Sequence, residues 1–176
     1  MKNLKFSRLF AAMMFVACLA FVGCKPQTEE VTVEKVIVVR PLEADDGIIG
    51  TWISTYDEKY DISITDYDNY SHYDADYNYD ADNWHLYYST NKLKIYEIDE
   101  TSGFLYGQFD DENHIGYGAT KGQWYALMYT GLTDTYVKLW QPYKDGGKAA
   151  CDTLEEAVKE FTVDNGYFAG FSECTK

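Results

Sequence analysis

Arginine is nearly missing from this chain: Arg8 and Arg40 are the only two, and every later basic residue is lysine. A bidentate guanidinium clamp for phosphate or carboxylate is therefore excluded from everything beyond Arg40. Histidine is as scarce, with His72, His85 and His114. No G-x-S-x-G elbow, H-E-x-x-H pair or phosphate-cradling glycine loop occurs. Positive charge in general is short, 15 Lys and Arg against 29 Asp and Glu, a formal charge of −14. That balance excludes nucleic acid as a partner, since phosphates demand a basic patch. It also excludes docking of the protein surface on anionic headgroups. Beyond residue 23 no long apolar run exists, so no later segment is a candidate membrane span.

The one uncharged apolar run stands at the start. Lys2, Lys5 and Arg8 precede Leu9 to Gly23, 15 residues without a charge. Positive segment, short apolar stretch and small-residue cut site are the pattern of a secretory signal peptide over residues 1–23. Fifteen residues fall short of the ~20 needed to cross the hydrocarbon. Phe21-Val22-Gly23-Cys24 resembles the lipobox of bacterial lipoproteins, which implies a diacylglyceryl group on Cys24 and Cys24 as the mature N-terminus. With two or more acyl chains such an anchor is stable. The expected address is the cell envelope, outer membrane included, with the lipid as the contact to the membrane. Losing Lys2, Lys5 and Arg8 takes the formal charge from −14 to −17.

Two of the four cysteines, Cys151 and Cys174, remain after Cys18 is removed and Cys24 is lipidated. An even pair in an oxidising compartment predicts a disulfide. Residues 24–46 read as a tether whose Val31, Val33 and Val36-Ile37-Val38-Val39 could also add an edge strand. From residue 47 to about Tyr143, apolar and polar residues alternate in short runs at Tyr60–Thr65, Trp84–Ser89, Lys92–Ile98, Phe104–Phe109, Gln123–Thr130 and Thr135–Trp140. Asn91, Thr101-Ser102-Gly103 and Gly131–Asp134 punctuate them. Such spacing predicts a mainly β domain over residues 47–176, a small antiparallel up-and-down barrel or sandwich of seven or eight strands. One C-terminal helix is predicted. Thr153-Leu154-Glu155-Glu156 forms a capping box, and Leu154, Ala157, Val158 and Phe161 share a face.

Gly50-Thr51-Trp52 resembles the G-x-W signature of lipocalins and related calycin barrels. The resemblance implies an up-and-down barrel with Gly50 and Trp52 at a plugged end and a helix outside. Calycins stack an arginine over that tryptophan, and this domain has none. Ser102-Gly103-Phe104-Leu105-Tyr106-Gly107-Gln108-Phe109, His114-Ile115-Gly116-Tyr117-Gly118-Ala119 and Thr153-Leu154-Glu155-Glu156-Ala157 are similar to a family of small spirochaetal lipoproteins that open with the same G-T-W. That likeness implies the envelope address and no particular activity.

The most unusual stretch is Asp66–Asp82, six aspartates and five tyrosines in 17 residues. Within it Tyr73-Asp74-Ala75-Asp76 recurs as Tyr79-Asp80-Ala81-Asp82. Read as an extended strand or hairpin, Tyr73, Ala75, Tyr77 and Tyr79 line one face and Asp74, Asp76, Asn78 and Asp80 the other. Read as an oxygen cage, Asp74, Asp76, Asn78, Asp80 and Asp82 would bind Ca²⁺ weakly. An EF-hand is excluded, because Tyr79 stands where its glycine belongs and His85 where its glutamate belongs. Tyrosine totals 17 and gives large contact area at low entropic cost. The expected function is a non-catalytic binding or interaction module, needing no cofactor, for a host or envelope protein or a glycan. The alternative is a carrier with a small apolar ligand inside a cavity lined by Trp124, Met128 and Phe109. A hydrolase with two close carboxylates, one desolvated, is the third reading.

Overall fold

Strand Ser102–Phe109 shows how the wall of this domain is built. Gly103, Leu105, Gly107 and Phe109 face one side, Phe104 and Tyr106 the other, and all six are buried. Alternation with both phases apolar means that the sheet is covered on both faces.

The computed structural model describes residues 37–110 and 118–176. The expected signal peptide, Cys24, most of the expected tether and His114 lie outside them. The strands are β1 (Arg40–Pro41), β2 (Gly50–Ser54), β3 (Glu58–Ile62), β4 (Tyr67–Ser71), β5 (His85–Asp99), β6 (Ser102–Phe109), β7 (Trp124–Thr130), β8 (Tyr136–Trp140) and β9 (Ser172–Thr175). Helix α1 spans Leu154–Glu160. From β2 to β9 each strand pairs antiparallel with its successor, and β9 returns to β2 through Ile53↔Thr175 and Ser54↔Cys174. The result is a closed eight-stranded up-and-down barrel, and closure removes the exposed edges that an open sheet would leave.

Two expected strands are one. Trp84–Ser89 and Lys92–Ile98 join in β5, and Asn91 marks a bulge between the Asn91 and Lys94 pairings rather than a turn. Lys92 takes the extra residue at φ 54°, and the strand bends there. One arm of β5 pairs with β4, the other with β6. Gly107 is required at the crossing, since a Cβ there would come within 2.7 Å of Thr90 Oγ1. Part of the expected tether also belongs to the domain. β1 pairs with β5 at Ile95 and Lys94, past the end of β4. Leu42 is buried, and Arg40 holds Asp46 through two contacts of 2.9 and 2.6 Å.

One end of the barrel is closed. Trp52 is fully buried and donates through Nε1 to Ile48 O at 2.7 Å. Lys176 Nζ lies 4.4 Å from the centre of its ring, so a lysine supplies the cation that calycins take from arginine. Gly50 is needed here too: its φ is 138°, and a Cβ would meet Lys176 Cε at 2.8 Å. Above the plug, Tyr67, Tyr88, Leu105, Phe109 and Leu127 fill the interior. Tyr67 and Tyr88 meet edge to face at 5.7 Å.

Outside the barrel, Phe104, Tyr106 and Ala126 are covered by Ala157, Phe161, Tyr167 and Phe168. Helix α1 begins where the capping box places it. Glu156 N donates to Thr153 Oγ1 at 3.1 Å, and Glu156 Oε2 accepts from Asp152 N at 3.2 Å. Asn165 Nδ2 donates to the carbonyls of Lys159 and Glu160 and ends the helix.

The expected Cys151–Cys174 bridge is not formed: both are free and buried. Cys151 belongs to the outer cluster under α1 and pairs with Trp124, whereas Cys174 faces the barrel interior. The wall of the barrel separates the two thiols.

Candidate functional site

The end opposite Trp52 is built differently. Short turns join strands at the plugged end, whereas this end carries residues 72–84 between β4 and β5 and the long connection between β8 and β9. A cleft of about 1120 Å³ opens there. Strand alternation chooses its lining. Glu58 shares the inward phase of Tyr60 and Ile62, Asn69 that of Tyr67, and Leu139 that of Val137.

These inward positions form a connected polar floor. Tyr60 Oη donates to Glu58 Oε2 at 3.2 Å, and Ser172 Oγ donates to the same oxygen at 3.1 Å. Gln141 Nε2 donates to Tyr60 Oη at 2.9 Å and, at 3.4 Å, to Glu58 Oε1. Burial pushes the Glu58 carboxyl above its ordinary range, against the pull of the Ser172 and Tyr60 hydrogen bonds. Burial, then the charge of Glu58, pushes the Tyr60 hydroxyl up in turn. Asn69 is 1% exposed; its Nδ2 donates to Lys59 O at 3.4 Å, and its Oδ1 has no partner.

Aromatic side chains make the walls, among them Tyr73, Trp84, Trp140 and Phe171. Tyr77, also in the lining, is 74% exposed. No lysine or arginine lines the cleft among the described residues.

Of the acidic stretch, Tyr67–Ser71 is β4, and the repeat that follows enters this end as two successive turns rather than one extended strand, the first closed like a small hairpin. Tyr73 and Tyr79 face each other across an isolated bridge with ring centres 5.2 Å apart. In the first copy of the repeat, Asp74 Oδ1 accepts from the backbone of Asp76 and of Asn78, both at 2.9 Å. In the second, Asp80 Oδ1 accepts from Asp82 N at 3.0 Å and its Oδ2 from Asn83 Nδ2 at 2.8 Å. Aspartate followed two residues later by a captured amide is the Asx turn. Hydrogen bonds from Asn78 hold the Asp74 carboxyl below its usual range, and the bond from Asn83 does so for Asp80. His72 anchors the pair of turns: its Nδ1 meets the carbonyls of Asp80 and Asn83 at 2.9 Å, and its ring stacks on Trp84 at 3.7 Å.

Asp74, Asp76, Asn78, Asp80 and Asp82 are thus not gathered round a common centre. Among the described residues no three His, Cys, Asp or Glu side chains are placed to hold a metal. The cavity expected for an apolar carrier is also displaced. Trp124 and Met128 lie in the outer cluster, and Phe109 is packed inside against Tyr88 and Tyr125. Glu58, Tyr60, Asn69, Gln141 and Ser172 went unmarked in the sequence. Their signal was polar residues on the apolar phase of a strand. No protein-family model matches the chain, and no curated protein or solved structure matches it either.

Proposed function

We propose that this domain is a lipid-tethered, non-catalytic binding module of the cell envelope, and that its ligand sits in the open end of the barrel. The observation that carries this reading is the cleft of about 1120 Å³, with aromatic walls over a polar floor built on Glu58 and Tyr60. Small-molecule sites are concave, mostly apolar, and fixed by a few convergent polar groups. The barrel below is filled by Tyr67, Tyr88 and Leu105, which favours a ligand held at the mouth over one swallowed whole. The described chain enters near the plugged end, where Arg40 reaches Glu97 at 3.1 Å. The lipobox likeness and the spirochaetal lipoprotein likeness support the same address.

Hydrogen exchange on the purified lipoprotein tests the site. Fractionated small molecules from the envelope and growth medium are added, and protection is mapped. Slowed exchange at residues 69–71, 84–87 and 139–141 is expected with at least one fraction. Protection confined to the outer face under α1, or none with any fraction, would overturn the assignment.

A further inference from the structure

We infer that the mouth of the barrel takes a primary organic ammonium, its nitrogen donating to Asn69 Oδ1 and Glu58 and its carbon frame lying against the aromatic walls. This rests on the mouth being the binding site and adds the ligand class.

The first ground is an unmet acceptor. Asn69 is almost wholly withdrawn from water, lines the cleft, and leaves Oδ1 without a hydrogen-bond partner. Buried polar atoms without partners are rare, and each calls for a reason. A ligand N–H is one.

The second is the direction in which the floor points. Tyr60, Ser172 and Gln141 spend their donors on Glu58 and on one another. Glu58 Oε2 accepts twice, but Oε1 has only the 3.4 Å contact from Gln141. What remains among the described lining residues is acceptor capacity at Glu58 Oε1 and Asn69 Oδ1, together with His85 Nε2, which also has no hydrogen-bond partner and accepts when the ring proton is on Nδ1. A carboxylate or phosphate would find no lysine or arginine among the described lining residues and would meet Glu58 with like charge. A neutral sugar brings as many acceptors as donors, and the donors it would need from the floor are engaged.

The third is the wall. Trp84, Tyr73, Trp140 and Phe171 surround the space; His72 covers one face of Trp84 and Lys138 Nζ lies 4.0 Å from the Phe171 ring centre, which leaves Tyr73, Trp140 and the remaining faces for a ligand, and aromatic faces attract cations most strongly where water is excluded. A quaternary ammonium would use the walls but could donate nothing to Asn69. A primary ammonium satisfies both.

Titration calorimetry at pH 7.5, with Trp84 and Trp140 fluorescence as a local report, tests the inference on the full lipoprotein. The probes are phenethylamine, hexylamine, trimethyl(2-phenylethyl)ammonium, 2-phenylethanol and maltose. Saturable binding of a primary amine is expected, with the trimethyl compound and the alcohol at least ~10-fold weaker, the ratio that about 1.4 kcal/mol represents. Asn69→Leu should abolish the preference for primary over trimethyl amine. If that variant does not melt cooperatively, Glu58→Gln serves: it should weaken the amine about tenfold or more and leave the alcohol unchanged. Equal binding of alcohol and amine, or maltose binding more tightly than either amine, overturns the ligand class while the mouth stands as the site. Failure of both amines to bind overturns the ligand class as well, and the exchange experiment then decides the site separately.

Discussion

Lys176, the last residue of the chain, holds its ammonium 4.4 Å above the ring of Trp52, near the start of the first barrel strand. The contact ties the C-terminus to the N-terminal strand at the point where β9 and β2 close the barrel. Trp52 carries the packing and Lys176 the lid, so their truncations should differ in size. Trp52→Ala should cost about 3–5 kcal/mol, the usual penalty for emptying a buried aromatic site. Lys176→Ala should cost ~0.5–1 kcal/mol, as for a cation–π contact at an exposed edge. Thermal melts of the two variants measure the difference, and a Lys176 effect as large as that of Trp52 would contradict this division.

Glu58 should make stability depend on pH in the opposite sense to most carboxylates. Burial raises its folded value above 4.5, the ordinary value for a glutamate. Between 4.5 and that higher value the folded state holds more proton than the unfolded one. Stability from this group therefore falls as pH rises through the window. Glu58→Gln removes the charge while keeping the shape. Its melting temperature relative to the parent should rise between pH 4.5 and pH 7. A difference that is flat or falls with pH would show that the carboxylate is not strained by its site.

The barrel was legible in sequence because alternation survives even where both faces are buried. Gly50-Thr51-Trp52 marked the plugged end, and Thr153 with Glu156 marked the helix start. Asn91 misled because turns and bulges draw on the same residues; only the pairing of both arms of β5 shows that the strand continues. Ser172–Thr175 is too short to show alternation. The disulfide failed for a geometric reason. Counting cysteines says nothing about which side of a wall each faces. At the candidate site, Tyr73 and Tyr79 stood out by composition, whereas Glu58 and Asn69 were hidden among many solvated acids and amides. Their phase with Tyr60 and Tyr67 was the available clue.

The two thiols should behave as core groups. Burial pushes Cys151 up to about 11 and Cys174 up to about 12. Both are then overwhelmingly protonated at neutral pH, and the thiolate is the reactive form. Native protein should resist alkylation. After unfolding without reductant, both thiols should be labelled. A mass two hydrogens lighter, with no label taken up, would restore the bridge. Cys174→Ser should destabilise by roughly 1–3 kcal/mol, because it puts a hydroxyl into the apolar barrel. Cys174→Ala should cost less.

The repeated turns of the acidic stretch yield the last expectation. Asp74 and Asp80 each use side-chain oxygens on their own loop, so the role is that of an acceptor and not of a charge. Asparagine keeps one of the two oxygens, enough for the captured backbone amide, and gives up the other; alanine presents none. Asp74→Asn with Asp80→Asn should therefore keep the loop folded. Asp74→Ala with Asp80→Ala should raise hydrogen exchange at residues 76–83 and loosen His72 from Trp84. The same commitment bears on calcium. Oxygens already accepting from Asp76, Asn78, Asp82 and Asn83 would have to break those bonds to enter a cage. Millimolar Ca²⁺ should then raise the melting temperature no more than NaCl of matched ionic strength does, through screening of a chain with formal charge −14. An excess from Ca²⁺ that disappears in the double asparagine variant would mean that these carboxylates leave their turns to bind the ion.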